Sequence, residues 1–153
     1  MAVNKIAATA VLGVLGAGAL AGCATLEEAA VQAVSTTHHA ELTGGEVVTS
    51  RGDADGFAKA ELSISNELDQ ICYDVNDIRN LAPITSLTIN RGRRGQVGPA
   101  VLRVERANEG VWKNCVKRAE WLERNFEYAP GAFYIQISTT EFPNGAIRGQ
   151  FHD

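Results

Sequence analysis

Residues 57 to 65 read Phe57-Ala58-Lys59-Ala60-Glu61-Leu62-Ser63-Ile64-Ser65. Ala58, Ala60, Leu62 and Ile64 fall on one set of alternate positions, and Lys59, Glu61 and Ser63 on the other. Side chains of an extended chain point to opposite faces in turn, so this period of two predicts a half-buried strand. A turn follows at Asn66 to Asp69, after which Ile71, Tyr73 and Val75 alternate in the same way, predicting a hairpin. On the amino-terminal side, Arg51-Gly52-Asp53-Ala54-Asp55-Gly56 is a turn cluster. Before it, Val47 and Val48 predict a short extended piece, Thr43-Gly44-Gly45 a break, and His38 to Leu42 a first strand.

Downstream, Ile84 to Asn90 predicts a strand with Thr85, Leu87 and Ile89 on one face. Gly92, Gly95 and Gly98-Pro99 form a long turn around Arg91, Arg93 and Arg94, and Ala100 to Val104 returns as a strand. After a turn at Asn108-Glu109-Gly110, the pattern changes. Val116, Ala119, Leu122 and Phe126 recur every three to four residues, so a short helix is expected over 116–128, stopped by Ala129-Pro130-Gly131. Phe133, Ile135 and Ile137 alternate again, Pro143-Asn144-Gly145 is a hairpin signal, and Ala146 to Phe151 predicts the last strand. Seven or eight short strands with one short helix imply an all-β fold, an antiparallel Greek-key-like sandwich or barrel.

The chain has 153 residues, a size for one core and not two. Apolar residues make up 45% and charged residues 21%, the balance of a globular protein. Formal charge is −4, with no Lys/Arg run, which argues against nucleic acid as a partner. Ile6 to Ala21 is apolar or small apart from Thr9, follows Lys5, and is too short for an ordinary bilayer span. It reads as a secretory signal over residues 1–22. Leu20-Ala21-Gly22-Cys23 resembles the bacterial lipoprotein box, which implies that Cys23 carries acyl chains and becomes the first mature residue. The alternatives are an uncleaved anchor and ordinary cleavage near Ala21. Residues 23–37 are then a tether, with a short helix possible over Ala24 to Val34, and 38–153 the β domain. The expected location is the cell envelope, on the exported face of a bacterial membrane, with membrane lipid as a partner through acylated Cys23. Ala24 is not the Asp of a retention signal, so outer-membrane sorting is implied if the bacterium has two membranes.

With Cys23 acylated, Cys72 and Cys115 remain. Export to an oxidising compartment makes this even pair a disulfide candidate, and no C-x-x-C supports a redox pair. The bridge would close a loop of about 43 residues, worth about 3–4 kcal/mol in the chain-entropy model.

The stretch from about Ala40 to Phe151 resembles the CHRD domain family, named for chordin. The residues that carry the likeness are Ile71-Cys72-Tyr73-Asp74-Val75, Ile89-Asn90-Arg91-Gly92 with Gly95 and Gly98-Pro99-Ala100-Val101-Leu102, then Cys115, Pro130 and Phe133-Tyr134-Ile135. The most specific piece is Phe142-Pro143-Asn144-Gly145-Ala146-Ile147-Arg148-Gly149-Gln150-Phe151. The resemblance implies an all-β module, usually without an assigned reaction, with a cysteine pair where Cys72 and Cys115 stand. Two departures matter. The family's A-H-I-H-x-G reads Leu87-Thr88-Ile89-Asn90-Arg91-Gly92 here, and its H-T reads Ser138-Thr139. Thr, Asn and Ser are poor substitutes for imidazole as ligands of zinc or copper. No metal or cofactor is therefore expected, and no catalytic residue.

His38, His39 and His152 could meet if the first and last strands pair, though solvated chain ends are the commoner arrangement. Asp53-Ala54-Asp55-Gly56 is similar to the start of a calcium loop but lacks the closing Glu, so a plain turn is expected. Ser138-Thr139-Thr140 has no nearby base. Arg91, Arg93 and Arg94 could hold a carboxylate, a phosphate or an anionic polymer, against a solvated loop tip as the plain alternative. Arg148 is expected to make an ion pair or carbonyl contacts. Trp112, Trp121 and Tyr128 are expected to form a core covering the disulfide, the alternative being an exposed partner surface. The leading function is a membrane-anchored, non-catalytic binding or structural module with a protein or envelope polymer as its unknown partner. The alternative is a metal-dependent envelope enzyme of redox or hydrolytic type.

Overall fold

Alternation in the sequence becomes eight strands in a computed structural model, which describes residues 35–153 apart from 66, 108–109 and 118–119. The expected signal peptide, Cys23 and nearly all of the tether lie outside the described residues. The strands are β1 (Thr36–Thr43), β2 (Phe57–Ser65), β3 (Gln70–Arg79), β4 (Ile84–Arg91), β5 (Ala100–Arg103), β6 (Trp112–Lys117), β7 (Phe133–Thr139) and β8 (Ile147–Gln150), with one helix, α1 (Glu120–Tyr128), between β6 and β7. Strand β1 takes in Thr36 and Thr37, two residues assigned above to the tether.

All pairings are antiparallel, and the strands form one sheet in the order β5-β4-β7-β8-β1-β2-β3-β6. The sheet curls into a half-barrel. Of the two architectures open to the sequence, the chain thus takes the barrel-like one without closing it. The predicted hairpin is β2–β3, with Leu62 opposite Tyr73 and Ile64 opposite Ile71. Ala58, Ala60, Leu62 and Ile64 are all buried, as their alternation requires.

Three local expectations are corrected. Val47 and Val48 form no strand. Gly44–Glu46 is a single 3-10 turn, and the loop folds back so that the Asp53 amide donates to the Ala146 carbonyl at 2.7 Å. Thr85 is exposed and does not share the apolar face of Leu87 and Ile89. The β4–β7 register shifts between Ile84 and Ser86, and that irregularity turns Thr85 out. The helix does not begin at Val116. Residues 112–117 ladder onto β3, with Val116 opposite Ile71, while Leu122 and Phe126 lie on α1 and are buried; Ala119 lies outside the described residues. Strand pairing and the Cys72–Cys115 bond override the weak helical spacing there.

That disulfide is formed, linking directly opposed residues of β3 and the edge strand β6. The core lies on the opposite, apolar face of the sheet. Helix α1 covers it, with Phe126 stacked on Phe133 at 4.3 Å and edge-on to Phe151 at 5.1 Å.

The pairing directions place the connections at two ends. Strand β1 starts at what we call the entry end. The β2–β3 turn, the β4–β5 loop, the β6–α1–β7 connection and the carboxyl terminus lie at this same end. The β1–β2, β3–β4, β5–β6 and β7–β8 connections lie at the far end.

Two stability outcomes follow. Reducing the disulfide or replacing both cysteines by Ser is expected to lower unfolding free energy by about 3–4 kcal/mol in urea titrations. Phe126→Ala is expected to cost about 3–5 kcal/mol, because the three-ring contact under α1 is lost and a cavity remains.

Candidate binding cleft at the arginine loop

Strand β4 ends at Arg91, and residues 92–99 form the loop to β5. The turn is held by its own backbone: the Arg91 amide donates to the Pro99 carbonyl at 3.0 Å, and Gln96 donates to the Arg93 carbonyl at 2.9 Å. A Cβ on Gly98 would sit on the Arg91 carbonyl, so glycine is required at this crossing.

The loop is then pinned from below. Arg148 of β8 is 1% exposed. Its guanidinium donates to the Gln96 carbonyl at 2.7 Å and the Arg93 carbonyl at 3.1 Å, and lies 3.5 Å from the Tyr134 ring centroid. The Tyr134 hydroxyl in turn accepts from the Gly98 amide at 3.2 Å. The Gln150 amide reaches the carbonyls of Phe133 at 2.7 Å, Gly92 at 2.8 Å and Gly131 at 2.9 Å, sharing two hydrogens among three acceptors. Burial pulls the Arg148 pKa below its ordinary value, while Tyr134 and Glu46 push it back and Arg94 lowers it further. Arg148 therefore makes carbonyl contacts, one of the two roles expected of it. The Tyr134–Arg148–Gln150 clamp itself was not foreseen. Its signal was available, since Arg148 and Gln150 are two apart on one strand and so share a face.

Arg91, Arg93, Gln96, Val97, Ala129 and Ala132 line an open cleft of about 790 Å³. Among the described residues neither Arg91 nor Arg93 has an ion-pair partner. Arg94 leaves the group by pairing with Glu46 at 3.3 Å. Two of the three arginines thus face the cleft, on a loop whose geometry is set in advance.

Positions 88, 90 and 138 lie on the same outer sheet face as the clamp. Asn90 donates its amide to the Thr88 hydroxyl at 3.0 Å and carbonyl at 3.1 Å, and Ser138 sits opposite Ser86. All three side chains are neutral, and Asn90 and Thr88 are hydrogen-bonded to each other. Among the described residues there is no group of three or more His, Cys, Asp or Glu able to hold a metal.

The first and last strands do pair, and His39 and His152 form a backbone bridge with their rings 6.4 Å apart. His38 does not join them, because neighbours on a strand face opposite ways. Its Nδ1 lies 2.9 Å from Asp153 Oδ1, on the core side beside Phe126. Asp53 is buried in the far-end loop. Burial first, then the Asp55 carboxyl, raises its pKa, while the Asp55 and Gly56 amides lower it. This is a self-satisfied turn. Thr139 is buried, and its hydroxyl accepts from the Phe142 amide at 3.1 Å, closing the β7–β8 turn.

The aromatic residues do not cover the disulfide, and that expectation is corrected. Trp112 is on β6, under Arg106, whose guanidinium lies 4.8 Å from its ring. Trp121 and Tyr128 are exposed on α1, Tyr128 at 85%. The helix turns Leu122 and Phe126 inward, which leaves 121 and 128, seven residues apart, together on the outer ridge.

These features agree with comparison against known families. The CHRD domain model matches residues 38–151, and the chain belongs to that family. No curated protein and no solved structure matches it. Family membership points to a binding or structural module.

Arg148→Met is expected to cost about 3 kcal/mol, through two charge-assisted hydrogen bonds and the ring contact. Hydrogen exchange at Gly98 should accelerate while β2–β3 amides stay protected. A raised carboxyl pKa in the folded state means that N holds its proton more tightly than U. Asp53 therefore lowers stability as pH rises from the ordinary carboxylate pKa through its own. Asp53→Asn is expected to remove that fall, read from unfolding curves across the acid range.

Proposed function

We propose that the protein is a lipid-anchored envelope module, tethered through acylated Cys23, that binds acidic groups without catalysis. The observation that carries the binding role is the cleft, where Arg91 and Arg93 stand on a pinned loop with no anionic partner among the described residues. A planar guanidinium pairs with carboxylate or phosphate through two parallel hydrogen bonds, and a fixed loop reduces the entropy lost on binding. The acidic group can belong to a protein, an envelope polymer or a lipid. Neutral Thr88, Asn90 and Ser138 support the non-catalytic reading, since none of them is a general base near neutral pH. The anchor rests on the coincidence of Lys5, the apolar run, the small residues and Cys23.

Cells fed a fatty-acid analogue should label the wild-type chain and not Cys23→Ala. A labelled Cys23→Ala chain would overturn the anchor. On a phosphate-bearing resin, Arg91→Gln with Arg93→Gln should weaken retention at least about tenfold, from loss of charge-assisted bonds. Arg94→Gln should change it little.

A further inference from the structure

The entry end of the sheet concentrates features that its other end lacks. Six large hydrophobic residues are exposed among the described residues, and three of them, Leu68, Trp121 and Tyr128, sit at the entry end. They come from two separate connections, the β2–β3 turn and α1. Arg91, the last residue of β4, stands at the same end. The cleft it shares with Arg93 opens beside Ala129 and Ala132 of the connection that carries α1, while the loop tip folds back over the outer face. Thr36, where the chain leading back to Cys23 joins the sheet, is at the entry end too. The far end exposes only Val48 and Val111 from this group, and its tryptophan, Trp112, is partly buried.

We infer that the entry end is a docking face for the phospholipid headgroups of the membrane that holds the anchor. This deepens the proposed function and rests on its anchor, because it names the acidic group as lipid phosphate. Trp and Tyr partition to the headgroup level of bilayers, where an apolar ring and a polar edge are both satisfied. Arginine pairs with the phosphates at that depth. Glu67, Glu127 and Asp153 lie at this end too, so the contact is local arginine–phosphate pairing with aromatic insertion, not attraction by a basic surface. Eleven residues lie between Cys23 and Ser35, and even fully extended this span reaches about 40 Å. An anchored domain is thus held close to the bilayer, and a short tether raises the effective concentration of the end from which it departs.

The two tryptophans make the test internal, since Trp121 is at the entry end and Trp112 at the far end. The full lipidated chain is reconstituted into vesicles of phosphatidylethanolamine and phosphatidylglycerol carrying brominated acyl chains. Trp112→Phe leaves Trp121 as the only tryptophan, and Trp121→Phe leaves Trp112. Trp121 emission is expected to shift to the blue and be quenched, while Trp112 emission is unchanged. Arg91→Gln with Arg93→Gln should reduce the quenching of Trp121, with the chain still floating with the vesicles. Floating protein with equal quenching of both tryptophans, or none, overturns docking and leaves the anchor standing. Protein that does not float overturns both. Trp121 emission that responds to soluble polygalacturonate and not to lipid assigns the face to a polymer and also overturns the inference.

Discussion

The pairing of the first strand with the last holds this fold together. Strands β1, β2, β3 and β6 form one run of neighbours, and β8, β7, β4 and β5 another. Only the β1–β8 seam makes them one sheet. The seam is narrow, with Thr43 opposite Arg148 and a bridge between His39 and His152. It also needs a bare backbone, because a Cβ on Gly149 would press on the Glu41 carbonyl. Without the seam each half would expose another strand edge, with unpaired amides and carbonyls. Phe126 and Phe151 reinforce the seam from the core side, and His38 holds the terminal Asp153 beside it.

The same seam explains why an arginine is buried on the outer face of the sheet. Arg148 follows the seam into the middle of the molecule, where its charge needs acceptors. The β4–β5 loop folds over it and supplies two carbonyls, and Tyr134 supplies a ring. A buried guanidinium penalises any loop arrangement that leaves it without acceptors. The clamp therefore specifies loop shape. Arg91 and Arg93 inherit that shape, and the cleft they line is a consequence of satisfying Arg148 from below.

Membership of the CHRD family and the departures from its histidine pattern are compatible in physical terms. Leu87, Ile89, Ile135 and Ile137 hold β4 and β7 in register from the core side. The outward positions between them are free to carry any polar residue that satisfies its hydrogen bonds. Thr88 and Asn90 do so with each other. The scaffold thus survives a change of chemistry on its outer face, where the core places no demand.

Local alternation by itself determined most strands, because a buried face needs an apolar residue at every second position of FAKAELSIS or FYIQIST. The closing Pro-Asn-Gly turn and the two-cysteine pairing were legible for similarly local or compositional reasons. Val116 was misread because a β-strand and a helix both place it near apolar neighbours, and only the ladder to β3 decides. Thr85 was misread because a register irregularity depends on the partner strand. The seam, the burial of Arg148, the pairing of Arg94 with Glu46 and the gathering of Leu68, Trp121 and Tyr128 at one end came from tertiary structure alone. Each joins residues far apart in the chain, and no periodicity within a single segment encodes which distant segment it will meet.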